Sequence, residues 1–513
     1  MGIDLGTTNS ALAYVDTQEP AAANDAPLIC VFEVPQLVVE GEVRALPALP
    51  SFLYFVDPHE LAHDNLSLPW DARPNPVAGV LAREQGALVP GRQVSSAKSW
   101  LSLASVDRTA KILPWGASNV EQACSPVEAS ARYLAHLRDA WNYRFAAGRE
   151  DADELRFERQ EIVLTVPASF DEEARELTVE AARDAGIENL TLLEEPLAAF
   201  YAWIVAHRHE LKRQLKDNQL VLICDVGGGT SDFSLIRVRI IEREVRFERT
   251  ATGEHLLLGG DNVDLALVRR LEAKLASAHL TLRQRNALQR QCCAAKERLL
   301  SDLTIDRVPI TLLGSGRAVI GNALATELTR EEVVETLVEG FLPVTAPDDL
   351  PARDRRIALR ELGLPYASEP AITKHLAQFL AQAATAMHSD QGEGERAEQR
   401  VAEQIAGQTS QPAAHLIRPD AILFNGGFFA PDITRERVVE AVAHWFREKG
   451  KRWRPKVIVN EHPESAVAVG AAYYAQVRLG EGMRISGGSA RGYYIGVQAG
   501  ACSRRRMKCK PSA

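Results

Sequence analysis

"IDLGTTNSALAYV" (3–15) and "CDVGGGTSDFSLI" (224–236) set the same chemistry at two places in the chain. Each is an apolar run, a turn carrying Asp, Gly and hydroxyl residues, and a second apolar run, which reads as a β-hairpin with a polar tip. Asp4 and Asp225, Gly6 and Gly227, and Ser10 and Ser231 are each 221 residues apart, so the motif is repeated in register. Glycines at 227, 228 and 229 clear side chains away from backbone N–H donors, as close approach of a phosphate requires. Thr7, Thr8 and Thr230 add hydroxyls. If the two tips face each other, Asp4 and Asp225 repel unless a cation lies between them, and Mg²⁺ suits a site of carboxylates, waters and phosphates. One Gly-rich turn alone would read as an ordinary tight hairpin; two matched turns do not.

The rest of the chain gives these hairpins an α/β setting. "EIVLTVPASF" (161–170) reads as a strand, and "DEEARELTVEAARDAG" (171–186) as a helix capped by Asp171 and ended by Gly186. "LTLLEEPLAAFYAWI" runs from a strand into an apolar helix. Residues 265–302 look helical, and "TREE" (329–332) is a capping box. "DAILFNGGFFAP" (420–431) and "KVIVNEHPESAVAVGAAYYAQ" each start with a strand and lead into a helix. This alternation predicts an α/β fold with mostly parallel central sheets. The polar stretch 387–412 reads as an exposed insertion, and the basic end "CSRRRMKCKPSA" as a solvated tail.

The bulk numbers narrow the classes. A chain of 513 residues exceeds one ordinary core. A net charge of −9 argues against a general nucleic-acid binder. Seven cysteines without a CxxC pair argue against a disulfide scaffold and fit a reducing, cytoplasmic setting. The longest apolar run, 197–206, falls short of the ~20 residues of a membrane helix. There is no GxxxxGK[ST], no GxGxxG after a strand, no HExxH and no GxSxG.

"GIDLGTTNS" and "DVGGGTSDFS" resemble the two phosphate motifs of the 70-kDa heat-shock protein (DnaK-type chaperone) family. "LPALPSFLYF", "SSAKSWLS", "LTVPASFDEEAR", "EEPLAAF", "LLLGGDNVD", "NGGFFAP" and "HPESAVAVGAA" resemble further segments of that family, in the family's order, over residues 1 to about 478. The resemblance implies an actin-like ATPase fold: two lobes, each with a central mostly parallel sheet, around a nucleotide cleft. It implies slow hydrolysis of ATP to ADP with Mg²⁺. Lys98 would orient the attacking water, with Glu195, Asp225 and Thr230 beside it. Asp4, Glu195, Asp225 and Asp232 would hold the magnesium and its waters. Gly6, Thr7, Thr8, Asn9, Gly227, Gly228, Gly229, Thr230, Gly259, Gly260, Lys296, Gly426, Gly427, Phe428 and Glu464 would bind the nucleotide. Pro167 and Arg175 would relay nucleotide state, and co-chaperones or nucleotide-exchange factors are the implied partners. On their own, Lys98 reads as a surface lysine, Glu194 and Glu195 as a helix cap, and Pro167 as a strand end.

The pattern breaks in four places. With two residues before Ile3, the opening strand is expected to be shorter than the family's. Cys293 stands where the family has a glutamate, and Glu297 where basic residues are common. "GGFFAP" lacks the family's arginine, leaving Phe428 or Phe429 to stack on adenine. About 35 residues follow position 478, against ~100 for a β-sandwich, so the peptide-binding domain is expected to be absent or truncated, which counts against direct peptide binding. A sugar- or acetate-kinase-like phosphotransferase of the same superfold, or a non-catalytic nucleotide-binding fragment, are the alternatives.

Overall fold

The computed structural model describes residues 1–17, 28–57, 65–116, 122–150, 152–241, 244–275, 280–312, 324–352, 360–361, 364–365, 367–389, 416–447, 453–480 and 485–487. Two six-stranded sheets dominate. In the first, Gly2–Leu5 pairs antiparallel with Asn9–Val15 and parallel with Ile162–Val166, which pairs parallel with Leu190–Glu194. Ile29–Val31 and Leu49–Pro50 complete it against Asn9–Val15. In the second, Leu220–Val226 pairs antiparallel with Ser231–Ile241 and parallel with Ala421–Asn425, which pairs parallel with Lys456–Val459. Glu244–Thr252 and Ile485–Gly487 extend the other edge.

Both sheets are mixed: two of five pairings are parallel in the first and three of five in the second, so the expectation of mostly parallel sheets is corrected for the first. The physical reason is the hairpins themselves: a turn of three or four residues between strands can only join antiparallel neighbours, whereas parallel pairs need a long crossover. The repeat seen in the sequence is exact in register. Leu5 faces Ser10 in one hairpin and Val226 faces Ser231 in the other.

The helix Glu195–His207 has almost no polar side chains, so it is buried around most of its circumference. With Ala466–Arg478 it forms a layer shared by the two sheets: Val163, Leu193, Ile223 and Leu423 pack with Phe200, Trp203 and Val467 in one core. The two helices cross through small residues, since a Cβ on Gly470 would lie 1.8 Å from the Ala198 carbonyl oxygen. A second core lies under the helices Gly260–Lys274 and Leu282–Ser301, and a third under Pro126–Trp141.

Helix ends follow local chemistry. Asp171 accepts a hydrogen bond from Ala174 N at 2.7 Å to start Glu172–Asp184, and Thr329 forms a capping box with Glu332. The helical stretch expected over 265–302 is two helices, the second opened by a Thr281–Gln284 capping box. Residues 387–389 of the expected insertion end the helix Ile372–Ser389; 390–412 lie outside the described residues. Ile485–Gly487, beyond the stretch that resembles the family, adds a strand to the second sheet; residues 488–513, the expected basic tail among them, lie outside the described residues.

Candidate functional site

The two hairpin tips meet. A Cβ on Gly228 would lie 2.1 Å from Thr8 Oγ1, and one on Gly229 would lie 2.9 Å from both Thr7 Cγ2 and Ser99 Oγ. Only glycine allows that approach. The second tip is also tied to the helix after it: Gly260 N and Asp261 N donate to the Gly227 and Gly228 carbonyls at 3.0 and 2.8 Å. Ser51 Oγ donates to the Gly6 carbonyl at 2.8 Å and holds the first tip. Gly426 ends the strand Ala421–Asn425 with φ +86°, and a Cβ there would lie 2.1 Å from the Val226 carbonyl oxygen.

Four carboxylates surround this contact, all buried or nearly so. Asp225 and Asp232 face each other directly across the hairpin, a pairing that is destabilising when both are ionised. Asp4 stands on the first hairpin, and Glu195 opens the helix Glu195–His207. Burial, then the Glu195 charge, pushes the Asp4 carboxyl up from 3.8 to about 7. The same two causes push Asp225 up to about 8, against a hydrogen bond from Asn425 Nδ2 at 3.1 Å. Burial also raises Glu195 and Asp232. Among the described residues Lys98 is the cation that acts on Asp4, Glu195 and Asp232. Lys98 Nζ is buried and ion-paired to Glu195; burial alone would lower its ammonium, but Glu195 and Asp4 raise it.

This oxygen-only donor set, whose carboxyls are held back from ionising for want of positive charge, fits a hard divalent cation that would let them ionise. Among the described residues no three His, Cys, Asp or Glu are arranged to hold a metal by themselves. The four expected ligands therefore do not make a self-contained cluster. They suit a cation that completes its shell with waters and phosphate oxygens, as Mg²⁺ does.

A cavity of about 970 Å³ runs from these groups toward the helix Leu282–Ser301. Of the residues expected from the sequence, Asp4, Gly6, Thr7, Thr8, Asn9, Lys98, Glu195, Asp225, Gly227, Gly228, Thr230, Asp232, Gly260, Lys296, Gly426, Gly427, Phe428 and Glu464 line it. Gly229 and Gly259 are not among the lining residues: Gly229 packs against Thr7 and Ser99, and Gly259 packs on the carbonyls of Gly227 and Gly228. Phe428 lines the cavity, while Phe429 is buried against Phe424 at 4.7 Å between ring centroids and is not among the lining residues. Pro167 and Arg175 are not among the lining residues either. Arg175 donates to the carbonyls of Ala168 and Phe170 and pairs with Glu194 at 3.1 Å, so it grips the turn that starts at Pro167.

Sequence reasoning missed several lining residues. Asp264 is the buried partner of Lys296 at 2.8 Å, and Asp261, pushed up to about 6 by burial and then by Asp264, stands beside it. The spacing of Asp261 and Asp264, one helical turn apart, was the available signal. Asn425 on Asp225, and Arg330, whose guanidinium donates to the carbonyls of Leu299, Asp302 and Ile305, had no such signal.

The Hsp70 protein family model matches residues 103–347. The chaperone protein HscA homolog of Bordetella pertussis is 31% identical over 373 residues, covering 71% of this chain and 49% of its own length. The chain belongs to the Hsp70 family. The chaperone protein dnaK of Trieres chinensis is 28% identical over 329 residues, 61% of this chain and 45% of its own. The HscA homolog of Actinobacillus pleuropneumoniae serotype 5b is 33% identical over 276 residues, 52% and 36%. The chain thus spans about half the length, or less, of these Hsp70-family relatives. Among the described residues no helix is long and apolar enough to cross a membrane.

Proposed function

We propose that this Hsp70-family chain is a DnaK-type ATPase that binds ATP with Mg²⁺ between two actin-like lobes and hydrolyses it slowly to ADP. The observation that supports this best is the meeting of two register-matched Asp-bearing tips over a buried Lys98–Glu195 pair. Gly6–Asn9 and Gly227–Thr230 would cradle the phosphates with backbone N–H and hydroxyl donors. Asp4, Glu195, Asp225 and Asp232 would hold Mg²⁺ through its waters. When bound, that ion neutralises charge on the phosphate oxygens.

The chain's own residues do the rest. Lys98 orients the water for in-line attack, held in place by Glu195, and Thr230 contacts the γ-phosphate. Position and charge supply most of the catalysis in phosphoryl transfer, so few residues need to react. Lys296, anchored by Asp264, the pair Gly426–Gly427, and Phe428 and Glu464 take the nucleoside. Pro167 and Arg175 carry nucleotide state outward, since Arg175 ties the turn to Glu194, next in sequence to Glu195. Nucleotide-exchange factors or co-chaperones, and a cytoplasmic location, belong to the same reading. The test is ATP turnover by the full chain with Mg²⁺, with and without sugars or acetate. Phosphate release independent of any acceptor supports an ATPase; phosphate transfer to an acceptor would replace it with a kinase.

A further inference from the structure

Asp232 is held from outside the cavity by a chain of two side chains. Ser169 Oγ lies 2.6 Å from Asp232 Oδ1 and 2.6 Å from His255 Nδ1. The three come from separate places. Ser169 is in the turn after the first-sheet strand Ile162–Val166, Asp232 starts the second-sheet hairpin strand Ser231–Ile241, and His255 follows the strand Glu244–Thr252. The hydroxyl therefore bridges the two sheets.

A hydroxyl has one proton. If Ser169 donates it to the Asp232 carboxylate, Ser169 must accept from His255, so His255 carries its proton on Nδ1. Two features agree with that direction. His255 Nε2 is buried without a hydrogen-bond partner, as a bare ring nitrogen would be. Burial, then Lys98, lowers the imidazole to about 4, so the ring is neutral and has one N–H to give. The ring is fixed against Phe170, edge to face at 5.8 Å. The same turn is gripped on its other side by Arg175, through the Ala168 and Phe170 carbonyls.

We propose that Ser169, oriented by His255, is a positioning residue that fixes Asp232 at the cavity wall and ties it to the Pro167–Phe170 turn. This rests on the ATPase reading above. A second-layer hydrogen bond of this kind is worth roughly 10- to 100-fold in metal affinity or activity. Neither residue touches substrate, so its loss should fall on kcat and on the magnesium requirement rather than on the KM for ATP.

The test uses the full chain and steady-state ATP hydrolysis at several Mg²⁺ concentrations. Ser169→Ala should lower kcat roughly 10- to 100-fold and raise the Mg²⁺ needed for half-maximal rate, with KM for ATP little changed. Ser169→Thr keeps the hydroxyl and should restore most of the rate. His255→Ala should resemble Ser169→Ala, His255→Asn should recover part through its amide N–H, and the double alanine variant should lose no more than Ser169→Ala alone. Wild-type kinetics in Ser169→Ala, a change confined to KM, or losses that multiply in the double variant would overturn the proposal. If the wild-type chain hydrolyses no ATP, the ATPase reading fails by itself. The hydrogen-bonded chain is then read from the ¹⁵N shift of His255 Nδ1, which should move in both Ser169→Ala and Asp232→Asn; no response to Asp232→Asn would overturn it.

Discussion

Removing the Lys98 amine tests stability and chemistry together. Lys98 and Glu195 are 7% and 10% exposed, so their ion pair is largely shielded from water. Lys98→Ala leaves Glu195 facing Asp4 and Asp232 with no cation among them. Breaking a buried pair in this way costs on the order of 3–5 kcal/mol, because the remaining charge is uncompensated. Part of that loss should return in Lys98→Ala/Glu195→Gln, since the second change removes the stranded charge; urea unfolding without nucleotide measures both. In the reaction Lys98 acts on the attacking water, so kcat should fall on the order of 10²–10³-fold, as for loss of one preorganised donor. ATP affinity, read by titration calorimetry in Mg²⁺, should change far less. Equal losses in kcat and affinity would mean that Lys98 binds ground-state phosphate. A double variant no more stable than Lys98→Ala would refute the ion-pair reasoning.

The raised carboxylates make stability depend on pH in a stated direction. Asp4 (about 7) and Asp225 (about 8) keep protons in the folded chain that the unfolded chain, with its ordinary value of 3.8, has released. Folded protein then binds more protons between pH 3.8 and 8, so their contribution is full below that window and falls as pH rises through it. His255 (about 4) and the Met1 amine (about 6) act in the opposite sense, so the informative quantity is the difference from Asp225→Asn. Without nucleotide, Tm of wild type minus that of Asp225→Asn should fall from pH 5 to 8; a flat difference would contradict the shift. On the cavity wall, Phe428→Ala should weaken ATP binding by ~1–3 kcal/mol if the ring stacks on the base. Competition binding should show weak discrimination against GTP, because a phenyl ring stacks on either base and offers no hydrogen bond to tell them apart, and rejection of GTP by several orders of magnitude would refute this.

The parts of this molecule that could be read from sequence are those set by local chemistry. The hairpin tips announce themselves because Asp, Gly and Thr at a turn are rarely there for packing. The helix at Asp171 and the capping box at Thr329 follow from side chains that satisfy backbone N–H groups within one turn. What sequence reasoning missed depends on distant pairing. The hairpins were read as such, but the parallel share of the first sheet was overstated because alternating elements suggest crossovers, while Ile29–Val31 and Leu49–Pro50 add antiparallel neighbours. Lys296 was recognised but its counter-ion Asp264 was not, since 32 positions separate them and only the packing of two helices joins them. Phe428 and Phe429 were indistinguishable in sequence; only the packing of Phe429 on Phe424 assigns one to the cavity and one to the core. Ser169 and His255 carried no signal in the sequence; only the packing of the two sheets sets Ser169 on Asp232 and His255 on Ser169.

The central claim is that two facing carboxylate tips make a site for a nucleotide and its cation. Titration calorimetry of the full chain with ATP, in Mg²⁺ and again in EDTA, tests it most directly. ATP binding that requires Mg²⁺, and that weakens in Asp225→Asn, is the expected result. Affinity that is the same in Mg²⁺ and in EDTA, or that is unaltered by Asp225→Asn, would contradict it.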